Sequence, residues 1–391
     1  MIYSDLIINK KNWDQLVRAQ QFNKLSHAFL FHGPAGCGKE GHALELAAFL
    51  NCSNRANYES CGICPSCKKT KTFQNQNIKF IIPLPRGNIK TRSDSVDKAF
   101  SGATLKEYLE QLKNKEKDPY YSINLKSANT ILINSIRDIK HDLSLSTINN
   151  EWRIILIFQA EKLCIPSPES AHSLLKILEE PPEKTIFILV SSQSDAILDT
   201  IKSRCQNLYY PPISQSILEN RLIESGADSI EAAVVSRISY GNIKLSRELL
   251  DNSTDLIKMM FLLLNACFSS NSLIWNKCID NLSRLKIKNI NQLKHLFNMA
   301  IIFIRDILYY SKTLSDKEII FKNEKQKIEK IIKLYPNADW YSCIYHFEDS
   351  LNYIFRNGYL PLQIICMIFD IQKSLRGEFN ETFKLSDWIQ V

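Results

Sequence analysis

Two groups of residues in this chain are spaced for chemistry. The first is Cys52, Cys61, Cys64 and Cys67, in the pattern C-x8-C-x2-C-x2-C. Two overlapping C-x2-C hooks can clamp a tetrahedral ion. Four thiolates with no histidine describe a closed structural Zn²⁺ site with no open position for catalysis. Lys68, Lys69 and Lys71 stand near enough to offset the negative charge of such a centre. An iron–sulfur cluster and plain free thiols are the alternatives. The second group is Gly33-Pro34-Ala35-Gly36-Cys37-Gly38-Lys39, which follows the apolar run Ala28–Phe31 and opens a helical pattern reaching Leu50. Strand, glycine-rich loop and helix start are the context in which backbone N–H groups and a lysine cradle the phosphates of a nucleotide such as ATP. Gly33, Gly36, Gly38 and Lys39 are its candidate binding residues.

The rest of a phosphate-transfer site is altered. Such a loop places Ser or Thr after the lysine to ligate Mg²⁺, and here Glu40 follows Lys39. A hydrolysing enzyme of this kind also ends a later strand in acidic residues that hold the metal and orient water. The run Ile154–Ile157 leads instead into Phe158-Gln159-Ala160-Glu161. Phe158 has no ligand atom and Gln159 cannot act as a base. Glu161 is displaced and reads as the solvated start of a helix. The pattern keeps the cradle and lacks the catalyst.

The elements that must position these groups follow from hydrophobic spacing. Ala28–Phe31, Arg153–Phe158 and Thr185–Val190 are short apolar runs suited to strands buried on both faces of a parallel sheet. Ser170–Glu180 predicts a helix with Ala171, Leu174, Leu175 and Leu178 on one face, stopped by Pro181-Pro182. Residues 86–126 are polar and weakly patterned, and read as an inserted, partly helical and mobile excursion from the sheet domain. A helical pattern resumes at Ile131–Leu143. Pro211-Pro212 marks a boundary, beyond which come short helices to about Leu250 and longer ones to the end.

Composition narrows the class. The 391 residues are 45% hydrophobic and 23% charged, which fits a globular chain of two or three domains. Lys+Arg 49 against Asp+Glu 41 gives +8, a balance that permits an anionic partner without demanding one. No run reaches the roughly 20 apolar residues that span a bilayer. Met259–Ala266 and Met299–Ile304 read as core helices, so no membrane partner is expected. Eleven cysteines without an export signal favour the reducing cytoplasm. Cys164, Cys267, Cys278, Cys343 and Cys366 read as buried core thiols, and Trp340, Tyr341, Tyr345 and Phe347 as core aromatics at helical spacing.

Together these residues resemble a known family. Ser26-His27-Ala28-Phe29-Leu30-Phe31-His32-Gly33-Pro34 precedes the loop, and the cysteine module follows at once. Then come Ser173-Leu174-Leu175-Lys176-Ile177-Leu178-Glu179-Glu180-Pro181-Pro182, the strand Ile186–Val190 with Ser191-Ser192, and Ser203-Arg204-Cys205-Gln206. The order is similar to that of the bacterial DNA polymerase III clamp-loader subunits, the group of delta-prime and gamma/tau chains, over about residues 10–250. The resemblance implies an α/β AAA+ P-loop domain with a parallel sheet (1–211, carrying the cysteine module 52–67 and the insert at about 86–126). A helical lid (212–252) and an all-α collar domain (253–391) complete the expected chain. It implies a subunit of a five-membered ring that uses ATP to open a sliding clamp and load it on primed DNA. Gamma/tau and delta chains would be its partners. Arg204 matches the arginine finger extended to ATP on a neighbouring subunit, where a guanidinium stabilises charge on the transferred phosphoryl group. Ser191-Ser192 match a sensing position at a strand end, and Lys244 in Gly241-Asn242-Ile243-Lys244 stands where a second sensor is expected.

The changes at Glu40, Phe158 and Gln159, with Arg204 kept, favour a delta-prime-like stator that does not hydrolyse ATP. The alternative is a gamma/tau-like ATPase motor using Lys39 with unusual metal ligands. A stand-alone zinc-bearing DNA-binding module fits less well, because 52–67 lacks the paired finger and recognition helix that read base edges.

Overall fold

The computed structural model describes residues 1–377 apart from 56–57, 92, 145–150, 252, 289, 317 and 357. The end of the C-terminal segment expected to be helical, 378–391, lies outside the described residues. The chain separates into two compact units. One comprises Met1–Ile213 with Gly241–Lys244, the other Ser214–Tyr240 and the chain from Leu245 on.

The first unit is built on a five-stranded, all-parallel sheet. Its strands are β1 (Ala28–His32), β2 (Ile78–Ile81), β3 (Arg153–Phe158), β4 (Thr185–Ser191) and β5 (Gln206–Tyr209), arranged in the order β2-β3-β4-β1-β5. The three runs read from sequence are the three central strands. All seven residues of β4 are buried, as are four of the five in β1. A continuous apolar strand is what a sheet covered on both faces requires. β2 and β5 are the edges, and their half-exposed faces carry Lys79, Gln206 and Asn207.

Parallel register aligns the carboxyl ends of the central strands. His32 of β1 lies beside Ser191 of β4, and Val190 beside Phe158 of β3. Open α/β sheets form their ligand crevices at such ends. The helix Lys39–Leu50 rises from the β1 end and is buried nearly all round, with Gly41–Leu50 enclosed. That accounts for its lack of a polar face. The helix Glu169–Glu179 covers the sheet with Ala171, Leu174, Ile177 and Leu178, while Leu175 is only partly buried.

The insert is partly helical, as its pattern predicts, and it packs against the sheet unit. It forms a helix over Gly102–Lys117, capped by the Ser101 side chain, and buries Tyr120, Ile123 and Leu125. The Tyr3 hydroxyl donates to the Lys115 carbonyl at 3.0 Å, and the Ile7 N–H donates to the Tyr120 hydroxyl at 2.8 Å. The sequence does not show these two contacts, because they run through side-chain hydroxyls, a backbone carbonyl and a backbone N–H.

The second unit is all helical among the described residues. Its long helices include Ser253–Phe268, Ser272–Lys288, Ile290–Thr313, Trp340–Phe355 and Leu360–Leu375. Their core contains Met260, Leu263, Leu264, Phe297, Phe303 and Ile304. Two expectations fail here. Tyr341 is 58% exposed and Tyr345 37%, although Trp340 and Phe347 are buried. Cys366 is exposed, and in the first unit Cys164 is partly so, whereas Cys267, Cys278 and Cys343 are core thiols. A helix turns 100° per residue, so neighbours of like chemistry face different ways.

Candidate functional site

The phosphate-type loop has the backbone its glycines predict. Gly33, Gly36 and Gly38 take φ of 144°, 73° and 87°, and Gly38 caps the helix Lys39–Leu50. A Cβ on Gly33 would stand 2.1 Å from the Tyr210 carbonyl oxygen, and one on Gly36 1.8 Å from Asn242 Oδ1. Lys39 Nζ donates to the carbonyls of Gly33 (2.8 Å) and Pro34 (2.6 Å), and burial holds its pKa below the ordinary lysine value. His42 is fully buried on the first turn. Its Nε2 accepts from the Asn9 N–H at 2.9 Å, so its Nδ1 carries the proton and donates to the Gly38 carbonyl at 2.8 Å. Burial lowers its pKa to about 4, which keeps the ring neutral.

A cleft opens beside the loop, lined by Gly36, Lys39, Glu40, Tyr120, Gln159 and Ser191 among others. Two of the altered positions, Glu40 and Gln159, line it, the third, Phe158, is buried at the end of β3, and each of the three meets the insert. Glu40 Oε2 accepts from Lys115 Nζ at 2.5 Å. The Phe158 ring lies under the same ammonium, 5.5 Å from Nζ to centroid. Gln159, in the left-handed conformation, turns its Nε2 to the Ile123 carbonyl at 2.7 Å. Lys115 itself has no exposed side-chain surface and also donates to the carbonyls of Pro119 (3.0 Å) and Tyr121 (2.5 Å). Sequence reasoning missed Lys115 entirely. Its only signal was Glu40, a carboxylate in need of a cation.

Glu161 also departs from expectation. It begins a short 3-10 helix, Ala160–Cys164, but is partly buried and accepts from the Ser191 hydroxyl at 2.6 Å. Ser191 is thereby fixed at the cleft with 1% exposure, and its oxygen also receives the Gln193 N–H at 3.0 Å. Ser192 is exposed at the cleft rim. Lys244 Nζ lies 5.5 Å from the Tyr121 ring centroid.

The four cysteines converge. Their Sγ atoms all lie within 4.8 Å of one another, and Cys61 and Cys67 are 3.9 Å apart. Thiolates at ~2.3 Å around a tetrahedral zinc are about 3.8 Å from each other, so the donor set fits such an ion. Each hook is closed by backbone N–H groups. Cys61 N donates to Cys52 Sγ and Cys64 N to Cys61 Sγ, both at 3.3 Å, and Cys67 N donates to Cys64 Sγ at 3.4 Å. Burial works to raise the Cys64 thiol, but donors led by the Cys67 N–H outweigh it and bring it to about 6. The helix Pro65–Lys71 holds the last hook, and Lys71 Nζ lies 5.5 Å from the Tyr3 ring centroid. Glu45, buried on the helix Lys39–Leu50, accepts from Ser60 Oγ at 2.6 Å and from the Ile2 N–H at 3.0 Å. The cluster is thus tied to the helix that follows the loop.

Arg204 lies apart from the cleft lining. It follows the helical turn Asp199–Lys202, between exposed Ser203 and buried Cys205. Its Nη2 pairs with Glu179 Oε1 at 2.8 Å and its Nη1 donates to the Thr200 carbonyl at 2.9 Å. Arg204 and Glu179 side chains retain 36% and 50% exposure.

Comparison with known proteins follows the same residues. A family model described as DNA polymerase III, delta subunit matches residues 8–214. DNA polymerase III subunit delta' of Bacillus subtilis is 25% identical over 242 residues, which cover 61% of this chain and 59% of that protein. Subunit tau of the same organism is 24% identical over 371 residues, 90% of this chain and 57% of its own length. Subunit gamma/tau of Mycobacterium tuberculosis (strain H37Rv) is 25% identical over 214 residues, 54% of this chain and 29% of that one. The matches thus take in less than two thirds of these relatives. The model spans more than half of the residues, the phosphate-type loop, the cysteine cluster and Arg204 included, and the chain belongs to the DNA polymerase III delta-subunit family.

Proposed function

We propose that this chain is a delta-prime-like subunit of a DNA polymerase III clamp loader, a stator that does not hydrolyse ATP. It would assemble with gamma/tau and delta chains in the cytoplasm and help place a sliding clamp on primed DNA. One observation carries the proposal. The three positions that should supply the metal ligand, the acidic strand end and the water-orienting group are Glu40, Phe158 and Gln159, and all three are engaged by the insert. Phosphoryl transfer depends on charge stabilisation and positioning, and neither is available from a phenyl ring and a committed amide. The cysteine cluster would hold a structural Zn²⁺ as thiolates. Among the described residues no helix is long and apolar enough to cross a membrane.

Arg204 is the chemical contribution under this proposal. Its partly exposed guanidinium, held by one exposed acid and the Thr200 carbonyl, can leave Glu179 at little cost, since exposed ion pairs contribute about 0–1 kcal/mol. It would then stabilise charge on ATP bound by a neighbouring subunit. A loader reconstituted with Arg204→Ala should retain assembly but hydrolyse ATP more slowly when stimulated by clamp and DNA. Arg204→Lys should restore the rate only in part, because an ammonium lacks the planar fork. Unchanged rates would return Arg204 to a structural role.

The tau match over 90% of the chain and the retained Lys39 favour a second reading, an ATPase motor. ATP turnover by the isolated chain that vanishes on Lys39→Ala would establish it.

A further inference from the structure

The insert supplies a cation to the place where a loop of this type works with a metal. Position 40 ordinarily carries the hydroxyl that ligates Mg²⁺, and the end of β3 carries the acidic group that helps to hold it. Here a single buried ammonium reaches both. Lys115 Nζ is 2.5 Å from Glu40 Oε2 and 5.5 Å from the centre of the Phe158 ring. Its three N–H donors are taken by Glu40 and by the carbonyls of Pro119 and Tyr121. A buried ammonium stands only where its charge is matched and its donors are used.

We propose that Lys115 is a built-in substitute for the divalent cation, and that the insert excludes Mg²⁺ from the loop by occupying its charge position. The proposal rests on reading the loop as non-hydrolysing and deepens it. It assigns Glu40 and Lys115 as one unit. The carboxylate that replaced the metal-binding hydroxyl is neutralised from within the chain and is closed to an external cation. The cation–π contact makes Phe158 part of the same arrangement, because the negative face of an aromatic ring accepts an ammonium that a second carboxylate would over-neutralise. The insert is thereby a fixed component of the loop. Its anchorage by Tyr3 and Ile7 keeps Lys115 in place.

The test uses zinc-loaded full-length chain, Mn²⁺ as probe cation and ATP, with protein-retained Mn²⁺ read by equilibrium dialysis and electron paramagnetic resonance. The wild-type chain should retain no Mn²⁺ beyond that held by free ATP. Glu40→Thr combined with Lys115→Met removes both charges together and restores the hydroxyl. It should gain about one equivalent of ATP-dependent Mn²⁺. Retention by the wild type overturns the proposal, and so does a double variant that folds, by circular dichroism, and gains none. The wild-type arm needs no variant, so it decides the matter even if the double variant fails to fold. Because Phe158 and Gln159 remain, the gain is in binding without turnover. Mn²⁺ retention by an inactive wild-type chain would therefore overturn the exclusion of metal alone. Lys39-dependent hydrolysis would overturn the stator reading itself.

Discussion

Replacing Lys115 by Met removes one charge of a buried pair and leaves the other. Lys115 has no exposed side-chain surface and Glu40 only 15%, so the carboxylate left behind cannot regain full hydration. Breaking a buried pair from one side costs about 3–5 kcal/mol. The Pro119 and Tyr121 carbonyls also lose their donor, a loss contained within that range. For a unit of this size, each kcal/mol lowers the unfolding midpoint by roughly 2–4 °C, so Lys115→Met should melt roughly 6–20 °C below wild type. The companion Glu40→Gln/Lys115→Met carries no stranded charge. Replacing a whole buried pair by neutral groups is often neutral, so this variant keeps only the loss of a donor to the Pro119 and Tyr121 carbonyls and should recover most of the stability that Lys115→Met loses. Calorimetry and urea unfolding of the full chain and of both variants close the comparison. A loss below about 1 kcal/mol for Lys115→Met would refute the buried-pair reasoning. A double variant as unstable as the single one would show that Lys115 acts through packing and the two carbonyls and not through its charge.

Three further outcomes follow from the geometry. Purified chain should carry about one zinc, and Cys64→Ser should lower its metal retention and local stability without changing any reaction rate; elemental analysis finding iron or no metal would overturn the assignment. The isolated chain should show no ATP turnover above background, measured by phosphate release with clamp and DNA absent. His42 titrates near 6.5 unfolded but only at about 4 folded, so its contribution is full above pH 6.5 and lost as pH falls toward 4. That amounts to about 3 kcal/mol, and His42→Gln, which can still accept from Asn9 and donate to Gly38, should flatten this part of the acid-unfolding curve.

Legibility in the sequence followed burial. β1, β3 and β4 could be read because they are apolar on both faces, and the cysteine cluster because its spacing alone restricts the geometry. β2 and β5 give no such signal because, as edge strands, they carry Lys79, Gln206 and Asn207 on half-exposed faces. Glu161 reads from sequence as solvated because its Ser191 partner stands thirty residues away on another strand. The pairing of Glu40 with Lys115 spans 75 residues and a polar helix. No local pattern encodes such a contact. The carboxylate in a phosphate loop stands out in the sequence, the lysine in a polar helix does not, and the fold joins them.

The retained loop can now be separated from the retention of a reaction. Gly33 is required where the Tyr210 carbonyl approaches, and Gly36 where Asn242 packs, whether or not a phosphate is bound. Gly38 caps the buried helix in the left-handed region, where a side chain would be strained. Lys39 closes the loop by bonding the Gly33 and Pro34 carbonyls. Every signature residue of the motif therefore has work within the fold of this chain. Under the stator reading proposed above, a chain without the catalyst can still keep the cradle for that reason. The loop is the joint on which β1, the end of β5 and the buried helix meet, and altering its glycines would cost the fold before it cost any nucleotide. Gly33→Ala tests this directly. The new methyl meets the Tyr210 carbonyl at a distance no relaxed contact permits, so the variant should lose stability in the absence of any nucleotide. A Gly33→Ala chain as stable as wild type would mean that the loop takes its form for a ligand and not for the fold.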